Sequence, residues 1–215
     1  MIEFAKNCRG REALITPIGA LAKKMADRLT EPSHFSLFAG GWWKGWKGDM
    51  ANQKLCVIDC GAGERAADCI LFLKESGVKK ISFFGFAGSV NKALAPGAFC
   101  AASSWAGGAS FEEFALSLGE GKLPRKAKRP FESAQAKTDK SGSIYTLPSL
   151  FMEKDIFEKL AEEDFDMVDM ETAHAAFAAQ GTDTRFFYCV SDLRMNFIKI
   201  NMGELAKICL ISALS

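Results

Sequence analysis

Histidine is scarce. His34 and His174 are the only two in 215 residues, too few for a site built on several imidazole ligands. Long apolar runs are missing too. None reaches the roughly 18 residues that a membrane-crossing helix needs, and no basic-then-apolar segment of the export type opens the chain. Nor is there an excess of one charge: 27 Lys and Arg against 26 Asp and Glu leave +1, so nothing global draws the chain to nucleic acid or to an anionic membrane. The one basic run, Lys122 to Arg129 ("KLPRKAKR"), reads as a solvated surface loop. Cysteine itself is present, but its pairing signatures are not. The seven cysteines, at 8, 56, 60, 69, 100, 189 and 209, are odd in number and show no C-x-x-C spacing of a zinc or redox centre. Several lie in apolar strand-like or helical runs, where a thiol behaves as a small hydrophobe. The expectation is a reducing, cytoplasmic compartment.

What is there looks like an ordinary globular protein: 48% hydrophobic and 25% charged residues. Apolar runs without clean alternation predict strands at 13–18, 35–39, 55–59, 80–84, 98–103, 144–148, 165–168 and 185–190, covered on both faces. Helical periodicity predicts helices at 21–29, 64–76, 152–162, 171–180 and 199–213. Alternating strands and helices imply a mostly parallel α/β sandwich, with residues 1–215 as one domain. The 40–50 stretch ("GGWWKGWKGDM") reads as a hairpin turn, and 106–142 as an irregular loop.

Ligands in such sheets bind beyond the carboxyl ends of the strands. The segment Val57 to Glu64 ("VIDCGAGE") runs from a strand through two glycines into a helix, as many S-adenosylmethionine methyltransferases do. That class also needs an acid at the tip of the next strand, about 20 residues on, to hold the ribose. Here no Asp or Glu occurs between Glu75 and Glu112, and the next strand ends in "GFAGSV". The acids lie later, in "MVDMETA" (167–173) and "VSD" (190–192). If these are the tips of successive parallel strands, Glu171 and Asp192 face one cleft. Each also fits simple helix capping or dipole compensation, worth about 0.3–1 kcal/mol.

The order "CGAGERAAD…FFGFAGSV…PGAF…VDMETA…VSD" resembles the purine nucleoside phosphorylases and the methylthioadenosine/S-adenosylhomocysteine nucleosidases, over about residues 13–212. The resemblance implies a three-layer α/β/α sandwich around a mixed, mostly parallel sheet. It implies cleavage of the N-glycosidic bond of a purine nucleoside, by phosphorolysis or by hydrolysis. Glu171 would accept hydrogen bonds from the ribose hydroxyls, and Met170 would pack on the sugar. Asp192 would assist the departing base at N7, and Phe151 would stack on it. Gly85, Ala87 and Gly88 would floor the site near the anomeric carbon, with Ser89 at the glycine tip. It implies no metal or organic cofactor, phosphate only as a co-substrate of the phosphorolytic alternative, and a homo-oligomer, for which Trp42, Trp43 and Trp46 are candidate contacts.

Two elements of the family pattern are missing. The nucleosidases place a Glu soon after the first strand to activate water; here Ile18 to Lys24 ("IGALAKK") holds no carboxylate, and Glu12 stands at the wrong end of the strand. The phosphorylases place a phosphate-binding Arg before the glycine element; here Ser82-Phe83-Phe84 stands there, and Phe86 replaces a small residue. Ser89, Arg11, Arg28, Arg65 and Arg194 are the candidate substitutes. The alternatives are a nucleoside-binding protein without catalysis and the methyltransferase.

Overall fold

The computed structural model describes residues 2–37, 43–132, 138, 140–150, 152, 156–193 and 196–214. In chain order the elements are α1 (Ile2–Cys8), β1 (Glu12–Thr16), α2 (Gly19–Ala26), β2 (Thr30–Leu37), β3 (Trp43–Met50), β4 (Gln53–Asp59) and α3 (Arg65–Glu75). Then come β5 (Lys80–Ser89), β6 (Phe99–Gly107), α4 (Phe111–Gly119), β7 (Arg129–Pro130), β8 (Ser141–Thr146) and α5 (Phe157–Glu162). The last are β9 (Met167–Asp169), α6 (Thr172–Ala178), β10 (Asp183–Leu193), β11 (Asn196–Phe197) and α7 (Met202–Leu214).

The strands join in one mixed sheet, ordered β11-β10-β6-β8-β9-β5-β1-β4-β3-β2. Strand β5 is its hub. It pairs in parallel with β1 and β10 and, at its last two residues, antiparallel with β9. Because β10 also leads through β6 and β8 back to β9, these five strands close on themselves. The hairpin β2–β3 extends the other end past β4.

Alternation along the strands divides the core. Ala13, Ile15, Cys56 and Ile58 point to the face covered by α3 and α6; Leu14, Leu55 and Val57 point to the face covered by α2 and α7. The result is three layers, helix on sheet on helix. The phenylalanines of "SFFGF" and "RFFYC" set the register of β5 on β10, with Phe83 opposite Phe186 and Phe84 opposite Phe187. Phe187 lies flat between Phe84 at 5.1 Å and Phe99 of β6 at 5.7 Å, while Phe83, Phe186 and Tyr188 fill the other face. All seven cysteines are buried free thiols.

Every strand expected from the sequence has a counterpart, but three segments differ. The 106–142 stretch is not irregular throughout: it carries α4, whose amino end is capped by Ser110, its hydroxyl oxygen accepting from the Glu113 N–H at 3.1 Å. The 40–50 stretch is more than a turn, since 43–50 is the full strand β3. Its Trp43 is buried against Phe72, and Trp46 sits edge-on to His34, so both pack within their own chain; Trp42 lies outside the described residues. Helix α1 had no counterpart in the sequence reading. The basic run at 122–129 is a surface segment whose charges meet Glu120, Glu113, Glu163 and Asp164.

Truncating the centre of the aromatic stack tests this packing. Phe187→Ala removes a fully buried ring held from two sides and is expected to cost about 3–5 kcal/mol of stability, read as a shift of the urea midpoint. A loss below about 1 kcal/mol would contradict the packing described.

Candidate functional site

At its end β5 has a strand on both edges. Gly88 is opposite Val168 of β9 on one side and Asp192 of β10 on the other. This differs from the expectation of two successive parallel tips: β9 runs antiparallel to β5, so the two acidic segments meet across β5. A β-bulge between Val190 and Asp192 shifts the register just there, a common device for re-aiming a side chain.

Beyond this point opens a cleft of about 360 Å³. Glu171, Asp169 and Asp192 all line it, with Met170, Ala87 and Gly88. The three acids are nearly buried, at 6%, 4% and 2% exposure. Phe86, Ile18, Leu150, Ile200 and Met202 make much of the wall apolar. Among the described residues that line it there is no Lys, Arg or His.

Each acid is held differently. Asp169 closes β9. Its Oδ1 accepts from the Thr146 hydroxyl at 2.7 Å and its Oδ2 from the Thr172 N–H at 2.9 Å and from the Thr172 hydroxyl. The Thr172 hydroxyl also meets the Tyr188 hydroxyl, so one buried polar network joins β8, β9, α6 and β10. Glu171 stands at the amino end of α6, and its Oε1 accepts from the Gly63 N–H at 2.9 Å. Gly63 sits at φ +65°, a conformation that favours glycine, so the second glycine of "CGAG" turns its N–H onto an acid more than a hundred residues away. Asp192 accepts at Oδ1 from its neighbour Ser191 at 2.6 Å.

Burial raises the pKa of Asp169 to about 6, the hydrogen bonds from Thr172 and Thr146 holding it back. Burial and the nearby Asp169 raise Glu171 to about 7.

The sequence-based assignments divide. Glu171, Asp192, Met170, Ala87 and Gly88 come together in the cleft. Gly85 does not: a Cβ there would lie 2.9 Å from the Phe83 ring and 3.2 Å from the Tyr188 ring, so its small size makes room in the core. Ser89 does not either; it is fully buried and donates to the Asn91 carbonyl at 2.6 Å. Phe151 and Arg194 lie outside the described residues. Arg11 is tied to Gly48 and Asp49, Arg28 donates to the Gly203 carbonyl, and Arg65 packs by Gly61; none lines the cleft. Glu12 pairs with Lys80 at the far end of β1. The sequence reading missed the apolar wall from 198–202, which carried no signal beyond the approach to α7, and took Phe86 only as a departure from pattern.

The family model of the phosphorylase superfamily matches residues 13–197. The chain belongs to the phosphorylase superfamily. Solved structures similar to this superfamily member cover 95% of it. Futalosine hydrolase of Helicobacter pylori is 20% identical, with 97% of its own chain covered and a TM-score of 0.73. The MTA/SAH nucleosidase of Streptococcus pneumoniae in complex with 8-aminoadenine is 19% identical, with 98% covered and a TM-score of 0.73. The nucleosidase of Colwellia psychrerythraea in complex with adenine is 17% identical, with 91% covered and a TM-score of 0.67. At these identities the likeness shows the fold. No curated protein matches the sequence. In this superfamily member the glycine turn of "VIDCGAGE" turns the Gly63 N–H onto Glu171.

The raised acids give stability a sign. The folded chain binds more protons than the unfolded one between about pH 4 and 7, so their contribution is complete below the unfolded value near 4 and is lost as pH rises through the raised values. Urea midpoints are therefore expected to carry a falling component between about pH 4 and pH 7. Asp169→Asn, which removes one of the two groups, should flatten it by on the order of 2 kcal/mol; an unchanged slope would contradict the assignment.

Proposed function

We propose that the chain hydrolyses the N-glycosidic bond of a purine nucleoside, with the base at Asp192 and the ribose at Glu171. The observation that carries this is the pairing at Gly88, which sets Asp192 on one edge of β5 and the Asp169-Met170-Glu171 segment on the other, around one cleft. Its volume falls in the range of small-molecule sites, and its few polar groups stand in a mostly apolar lining, as orientation of a small ligand requires. The similar nucleosidases solved with adenine and 8-aminoadenine support a purine.

Breaking the bond builds positive charge on the sugar and negative charge on the departing purine. Asp192, steadied by the Ser191 hydroxyl, supplies or stabilises the proton at N7 that relieves the second charge. Glu171 orients the ribose through its 2′- and 3′-hydroxyls, and its carboxylate stabilises the developing cation. Met170 packs on the sugar with a thioether that adapts to shape. Water is favoured over phosphate as the nucleophile because three acids and no described cation line the cleft, a setting that repels an anionic co-substrate.

Incubation with adenosine, inosine and methylthioadenosine tests this. Free base should appear at the same rate with and without phosphate. Release only with phosphate would contradict hydrolysis, and binding without release at high enzyme concentration would favour a non-catalytic protein. Asp192→Asn should lower kcat about 10²–10⁴-fold with a much smaller change in KM; wild-type turnover in that variant would remove Asp192 as the acid.

A further inference from the structure

A water that attacks the anomeric carbon must lose a proton to a base on the sugar face away from the departing purine. From the tips of β1 and β4 the cleft is lined by Pro17, Ile18 and Ala62, none able to take a proton; Asp59, the last residue of β4, does not line it, and its Oδ1 accepts from the Gly61 N–H at 3.3 Å. The bases that line the cleft are the three acids, and their surroundings distinguish them. Both oxygens of Asp169 are engaged by Thr146 and Thr172. Asp192 belongs to the other edge of β5, at the base. Glu171 is fixed through one oxygen by the Gly63 N–H, which aims the carboxylate without neutralising it.

Resting on the hydrolytic reading above, we propose that Glu171 is the general base for the attacking water as well as the holder of the ribose. The two tasks are compatible in space. A carboxylate bonded to the 2′-hydroxyl stands next to the adjoining anomeric carbon, within hydrogen-bond reach of a water beneath it. The step balances. The bond from the anomeric carbon to N9 breaks with its electron pair going to the purine, which takes a proton at N7 with help from Asp192. The water oxygen bonds to the anomeric carbon, and its proton passes to Glu171. Glu171 then returns that proton to solvent, Asp192 regains from solvent the proton it gave to N7, and one water has been consumed for one ribose and one purine. The raised pKa of Glu171 makes it a stronger base than an exposed carboxylate. The ionisable groups that share its field are Asp169 on β9, Cys60 at the tip of β4 and Tyr188 on β10, with Asp192 across the cleft.

The test compares wild type, Glu171→Gln and Glu171→Ala on a purine nucleoside that wild type cleaves. Glu171→Gln keeps a polar group for the ribose, so KM should stay within about fivefold while kcat falls about 10²–10⁴-fold. In Glu171→Ala, neutral hydroxylamine, whose nitrogen attacks without a base and which an acidic cleft does not repel, should restore turnover about tenfold or more and yield a ribosyl hydroxylamine adduct, identified by mass spectrometry. Should either variant fail to fold, the wild-type profile decides: kcat, with KM steady, should fall about tenfold per pH unit below a single ionisation near that of Glu171. An active wild type whose Gln variant keeps kcat within about tenfold, whose Ala variant gives no hydroxylamine adduct, or whose kcat is flat from about pH 5 to pH 8, would overturn this role alone. A wild type that frees no purine from any nucleoside would overturn the hydrolytic reading and this role together.

Discussion

The end of β5 is paired on both edges, and the site depends on that. A strand tip in an open α/β sheet has one loop on each side and solvent beyond. Here β9 comes in antiparallel against Gly88 and Ser89 while β10 continues in parallel, so the tip becomes the floor between two acidic segments. The closed ring of β5, β10, β6, β8 and β9 gives these short pairings their rigidity. β9 has three residues and would not hold as an isolated strand. It is kept in place by β8 on its other side and by the hydrogen bonds of Asp169.

Three acids around an apolar cleft are costly to bury, and the fold answers each locally. Asp169 has two threonines and the first N–H of α6. Glu171 has the glycine turn after β4, and Asp192 has the serine before it. The raised pKa of Glu171 is what remains after that compensation, and general acid–base chemistry near neutral pH uses such a residue. That carboxylate is held by the same turn that leads into helix α3.

Local patterns were legible in the sequence and non-local ones were not. The apolar runs marked the strands because both faces of the sheet are covered. "DMET" and "VSD" marked the acids because each follows a buried apolar run at a strand end, where ligands of such sheets bind, although capping explains such residues as well and Asp169 does accept the Thr172 N–H. The position of β5 between them was not legible, since nothing in "KISFFGFAGS" says that its tip has partners on both edges. Gly85 looked like Gly88 by composition; the ring of Tyr188, opposite it in register, is why only one of the two reaches the cleft. Helix α4 was hidden because Phe111 and Leu116 are exposed and only Phe114 is buried, although Ser110 and Glu113 carried a capping signature.

The most direct measurement is a crystal structure with a non-hydrolysable purine nucleoside analogue bound. The expected result is one analogue in this cleft, its 2′- and 3′-hydroxyls within hydrogen-bond distance of Glu171 and its N7 within that distance of Asp192. An analogue seated elsewhere, or one whose sugar and base leave either acid without a contact, would contradict the central claim.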